Sequence, residues 1–161
     1  MQNFFDVGTL DIITKLLIAI ACGMFIGLER LWAHKTAGMR TYALVAMGSA
    51  LFVIISEAMV LTYINFPGIN PLHMVAQIVV GVGFLGTGVI FSQNSKIMGM
   101  TTATGLWVSA GIGMAAGFGL YKLAFISTIL TLFIFMVLWF VEQQLKKTRF
   151  FKDNNSENNN Q

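Results

Sequence analysis

Residues 25–44 read FIGLERLWAHKTAGMRTYAL. The stretch leaves an apolar run at Leu28, places Glu29, Arg30, His34, Lys35 and Arg40 within a dozen residues, and enters a second apolar run near Tyr42. Ionised groups at the depth of acyl chains cost a few kcal/mol. A short charged burst between two greasy runs therefore has the form of a loop joining two membrane spans. Composition agrees: 56% of the 161 residues are hydrophobic and 11% are charged. Soluble domains usually carry about 25% charged residues, so this chain has too little polar surface to coat a water-soluble body. The lipid bilayer is its expected partner. The net charge of +3 is not a nucleic-acid signature, because its cations cluster at membrane edges.

Outward from this loop, a crossing helix needs about 20 apolar residues. Five segments meet that requirement, near 12–28, 42–61, 74–91, 101–120 and 123–141. The expected fold class is an all-α membrane protein of five transmembrane helices, residues 1–145 forming one domain. Asn65–Pro71 (NFPGINP) holds both prolines and separates spans two and three. SQNSKIMG separates three and four, and the join near GFGLYK is very short. Residues 146–161 form a basic, then Asn-rich tail of low complexity, expected to be disordered. Lys and Arg accumulate on cytoplasmic loops. With five spans, Arg30, Lys35, Arg40, Lys96, Lys146, Lys147, Arg149 and Lys152 share one side, whereas Lys15 and Lys122 hold the other. The N-terminus is thus expected outside and the C-terminus in the cytoplasm. Asp6 and Asp11, in place of a basic leader, give no pattern of a cleavable signal peptide.

Helices in lipid associate through small residues and polar contacts rather than through hydrophobicity. Lys15, Ala19, Gly23 and Gly27 recur every four residues in span one. Thr101, Gly105, Ser109, Gly113 and Gly117 do so in span four. In span three, QIVVGVGFLGTG places Gln77, Gly81 and Gly88 on one side, with Gly83 and Gly86 nearly opposite. The pattern predicts a helix sandwiched between two neighbours. A locally broken helix whose carbonyls line a polar cavity is the alternative. Gly81–Gly86 also matches GxGxxG, but a dinucleotide site needs a strand, turn and helix in water. Span five, with no glycine in 123–141, is expected to face lipid, and spans one, three and four to form the core, with span two between. So much close-packing surface predicts a homodimer.

Charged and polar residues near the spans are the candidate functional groups. Trp32 and Ala33, on the next turn from Glu29, are not cations, while Arg30 can reach His34. Arg40 is therefore the expected partner of Glu29, and ordinary interfacial anchoring is the alternative. At the other face, Lys15 and Glu57 sit at similar depth and can pair, or each can snorkel to water. Gln77 joins a polar network or a solute path. His34 and His73 fall on opposite sides and cannot share a metal in one protomer. The single Cys22 excludes an internal disulfide and reads as a small core residue. No Ser/His/Asp grouping, phosphate loop or HExxH is present, so neither catalysis nor a cofactor is expected.

GLERLWAHKTAGMRTYALVAMGSALF (27–52), QIVVGVGFLGTGVIF and MGMTTATGLWVSAGIGMAAGFGLY together resemble the MgtC/SapB family of bacterial membrane proteins. The motif positions are Glu29, Arg30, Gly38, Arg40 and Thr41; Gln77, Gly83, Phe84, Gly86 and Gly88; and Thr101, Thr102 and Trp107. The resemblance implies a bacterial cytoplasmic-membrane protein tied to growth in low magnesium and, in some members, to survival in macrophages. It also implies modulation of an F-type ATP synthase, and a soluble C-terminal domain that is not part of this 161-residue sequence. Three functions follow as expectations: transport of an ion or small solute, regulation of another membrane complex without transport, or a homo-oligomeric scaffold. Magnesium takes several oxygen ligands, and only Glu29 and Glu57, at opposite depths, offer carboxylates near the spans.

Overall fold

The computed structural model describes residues 7–62, 71–93 and 95–147; residues 1–6, the connection 63–70, Asn94 and the tail from residue 148 lie outside the described residues. The elements are α1 (Val7–Trp32), α2 (Met39–Thr62), α3 (Pro71–Val89), β1 (Phe91–Gln93), β2 (Lys96–Met98), α4 (Met100–Gly117), α5 (Tyr121–Phe133) and α6 (Trp139–Lys147). A π-helical turn, Ile134–Leu138, joins α5 to α6 in one rod. Long helices follow from the solvent, since in hydrocarbon a backbone must satisfy its own N–H and C=O groups. Three are long and apolar enough to cross a membrane: Gly8–Trp32, Met39–Val60 and Tyr121–Leu145; His73–Val89 is a shorter apolar helix. The chain is thus an all-α protein of membrane type.

The opening stretch folds as a tight turn rather than a loose loop. Lys35 N–H donates to Arg30 C=O at 3.0 Å and His34 N–H to Leu31 C=O at 3.1 Å. This is the paired bonding of a Schellman stop, with His34 in the left-handed position at φ 53°. The same device ends α4. Leu120 N–H reaches Ala115 C=O, Gly119 N–H reaches Ala116 C=O, and Gly119 takes the left-handed conformation. Pro71 opens α3, where its missing N–H costs nothing.

The core is α1, α2 and α4. A Cβ on Gly23 would lie 2.6 Å from the Tyr42 carbonyl oxygen, and one on Gly27 2.8 Å from the Met39 nitrogen. From the other side, Gly113 meets the Ala46 backbone and Gly117 the Ala50 carbonyl and Val53. Helix α2 is therefore gripped between two glycine ridges, and Ala46, Ala50 and Val53 are fully buried. Both predicted ridges pack, except that Thr101 is exposed. The expectation that span three rather than span two completes the core is corrected. α3 rides on α4 and α2 through Ile78 and Val82. Among the described residues, Gly86 alone of its glycines meets a neighbour, Ala103, whereas Gly81, Gly83 and Gly88 face open space. The helix is also unbroken from Pro71 to Val89. Most of the surface of span five is exposed, but a stripe of Ala124, Thr128, Thr131 and Phe135 is buried.

Where the sequence predicts only a loop between spans three and four, β1 and β2 form an antiparallel hairpin with Phe91 opposite Met98 and Ser92 opposite Ile97. Gly99, at φ +88°, follows it; any Cβ there would strike the Val89 carbonyl.

Candidate functional site

Three polar groupings stand out among the described residues. The first lies at the α1–α2 turn. The Glu29 carboxylate takes two hydrogen bonds from the Arg30 guanidinium, one from Nε and one from Nη2, the latter at 2.6 Å. Both side chains are inside, 13% and 3% exposed, and the guanidinium carbon lies 3.6 Å from the centroid of the Phe135 ring. A planar, always-charged fork suits this double engagement, hydrogen-bonded along one edge and stacked on one face. The π-helical turn carries Phe135 here; such turns recur at functional sites. Beneath the ring lies Gly105, whose absent Cβ would crowd both the Phe135 Cζ and the Tyr42 hydroxyl. Tyr42 Oη donates to the Thr102 carbonyl at 3.3 Å, and Ser109 Oγ donates to the Tyr42 carbonyl at 3.1 Å. Helices α1, α2 and α4 and the π turn are thus tied together by one buried polar seam.

This arrangement corrects the expected pairing of Glu29 with Arg40 and the expected reach of Arg30 toward His34. Neighbouring side chains on a helix diverge by about 100°, which argues against a sequence-adjacent pair. Yet at the helix end the aromatic ring and the packed seam leave the guanidinium one direction in which its charge is met. Arg40, at the start of α2, is exposed instead. Of the site residues expected from sequence, the structure brings Glu29, Arg30, Thr102, Gly105 and Ser109 together. It leaves Thr41, Gln77 and Thr101 at the surface. Two members were missed. Tyr42 sits next to Arg40 and Thr41 in a stretch already singled out, and an aromatic hydroxyl at membrane depth was the signal. Phe135 carries no signal in so apolar a span.

The second grouping is at the other end of α1. Lys15 Nζ lies 3.1 Å from Asp11 on its own helix and 3.1 Å from Glu57 on α2. Of the two arrangements open to Lys15 and Glu57 from sequence, the pair forms, with Asp11 as a third member. The third is an open groove of about 690 Å³ between α2 and α3. Arg40 and Thr41 line one end and Gln77 and Met74 the other, with Leu44, Phe52 and Leu85 among the residues between.

The sequence profile of the MgtC family matches residues 16–144, which hold every part of the first and third groupings. The chain belongs to the MgtC family. It is similar to a protein of Escherichia coli strain K12 named "Putative magnesium transporter YhiD", 46% identical over 129 residues, covering 78% of this chain and 59% of that protein. It is similar to Protein MgtC of Salmonella typhimurium strain LT2, 45% identical over 120 residues (74% and 49%). Protein SapB of Bacillus subtilis strain 168 is 42% identical over 125 residues (76% and 54%). The chain therefore spans about half to three-fifths of the length of these relatives. No solved structure matches.

Proposed function

We propose that this MgtC-family chain crosses the bacterial cytoplasmic membrane five times, N-terminus outside and C-terminus in the cytoplasm. We further propose that it serves magnesium or ion homeostasis by binding another membrane complex rather than by carrying the ion. The observation that carries the choice is the state of Glu29. Its carboxylate, the best placed to meet a cation entering from the cytoplasmic side, is occupied by Arg30 within the chain. Passing a divalent ion there would mean stripping a buried guanidinium of its counter-charge, a loss of a few kcal/mol. Helices α1, α2 and α4 meet backbone to backbone at their glycines, which favours a rigid dry seam over a wet path. Helix α3, by contrast, offers a free face of Val80, Gly83, Phe84 and Thr87, all exposed, with Phe84 at 78%. Small residues beside a large exposed ring suit the docking of a foreign helix in lipid, and a rotary ATP synthase is one complex of the class that fits. Catalysis has no part in this reading.

The name of the Escherichia coli relative favours a second reading, transport of magnesium, in which Thr41, Ser49 and Gln77 along the groove would serve as oxygen ligands. One experiment separates the two. The purified chain, reconstituted in vesicles enclosing a magnesium indicator, should give the same leak as empty vesicles, with Glu29→Gln no different. Saturable magnesium flux that Gln77→Leu abolishes would reverse the order of the two readings.

A further inference from the structure

The α2–α3 groove has a shape and a charge that single out one class of occupant. Its α2 wall runs from Arg40 to Phe52, about 18 Å at 1.5 Å per residue. Half of a hydrocarbon core is about 15 Å, so the groove extends over the depth of one leaflet. Between its ends the wall is built mainly on Leu44, Val45, Phe52, Ile78, Val82 and Leu85, and the hydroxyl of Ser49, its polar member there, donates to the Val45 carbonyl on its own helix. Two glycines, Gly48 and Gly81, keep it open, since a Cβ on either would meet nothing within 4 Å. The groove holds about 690 Å³. An extended acyl chain matches the apolar length of this cleft.

Charge selects the head group. Arg40 is exposed at the mouth and meets no carboxylate among the described residues, Glu29 being held by Arg30. Thr41 stands beside it, and both belong to the first turn of α2, where a helix dipole adds partial positive charge. Basic side chains at the cytoplasmic end of a cleft between spanning helices suit phosphate head groups.

We infer that the α2–α3 groove is a site for an anionic phospholipid, its phosphate on Arg40 and Thr41 and one acyl chain along the cleft past Gly48 toward Phe52. The site leaves the regulatory reading unchanged, whereas a magnesium path through the same groove would compete with it for Thr41. It rests on the proposed orientation only for its leaflet, the cytoplasmic one. Such a lipid would bridge α3, the loosely seated helix, to α2 at the heart of the core. Local content of anionic lipid would then set how firmly the face of α3 is held.

The test uses the full chain reconstituted in vesicles of phosphatidylglycerol and phosphatidylcholine in equal amounts, extracted gently and weighed by native mass spectrometry. One phosphatidylglycerol per chain should be retained, at least about fivefold over phosphatidylcholine, the effect of one basic side chain near an anionic head group. Arg40→Gln should bring the ratio near one, and Arg40→Lys should keep it within about twofold of the parent. Gly48→Leu, which fills the cleft at a position with room for it, should lower retention of both lipids and leaves the proposal testable should Arg40→Gln fold poorly. Equal retention of the two lipids by the parent, or a ratio unmoved by Arg40→Gln, would overturn the site. So would a disulfide between Gly48→Cys in one copy and Gly81→Cys in another, formed in native membranes, because it would place a second copy over the cleft.

Discussion

Replacing Glu29 by Gln removes the counter-charge of Arg30 while nearly preserving volume. Arg30 is 3% exposed and remains stacked on Phe135, so its charge can neither reach water nor readily be lost. Removing one partner of a buried ion pair costs about 3–5 kcal/mol. The ring recovers up to about 2 kcal/mol of the cation's energy, but it does so before and after the substitution and cancels. The glutamine carbonyl still accepts one hydrogen bond, which places the expected loss near 3 kcal/mol, about 6–12 °C in Tm for a chain of this size. Glu29→Gln with Arg30→Gln should regain about half, because no unpaired charge is then left inside. Arg40→Gln, at an exposed position, should stay within about 0.5 kcal/mol. Unfolding in mixed micelles followed by far-ultraviolet circular dichroism, with Arg30→Gln alone completing the set, supplies all four values of the cycle. The reasoning fails if Arg40→Gln costs as much as Glu29→Gln, or if the effects at Glu29 and Arg30 simply add.

Other consequences are open to the same assay or to labelling. Gly113→Leu drives a side chain into the Ala46 backbone and should cost at least about 1–3 kcal/mol, whereas Gly111→Ala, facing open space, should not destabilise. Tyr42→Phe should lose about 1 kcal/mol with its bond to the Thr102 carbonyl. Lys15→Met should cost about 1 kcal/mol or less, and less still in high salt, because Asp11 is 53% and Glu57 37% exposed. Cys22, 1% exposed, should resist maleimide in the folded protein and react fully once it is denatured, which leaves introduced cysteines readable in topology mapping.

The membrane character of this protein needed nothing beyond its sequence. Hydrocarbon tolerates few charges and obliges the backbone to bond within a segment, so long apolar runs become helices whatever surrounds them. For the same reason the bursts at Glu29–Arg40 and Ser92–Gly99 mark interruptions. The four-residue ridges of Gly23–Gly27 and Gly105–Gly117 were equally legible, because close approach in lipid depends on the side chain that is absent. Which helix fills a ridge is another matter. Gly81, Gly83 and Gly88 look as packable as Gly113, yet α2 and not α3 lies against the ridges. That choice depends on how helices cross in three dimensions, and glycine spacing holds no record of it. The charges divide likewise. Lys15 and Glu57 share a depth, and depth follows from counting residues along a helix. The partner of Glu29 depended on Phe135, more than a hundred residues away, delivered by a local change of helical pitch and seated over Gly105. Only the folded chain brings that ring beneath the guanidinium, and it is the ring, with the packed seam around it, that turns Arg30 toward Glu29 and leaves Arg40 free.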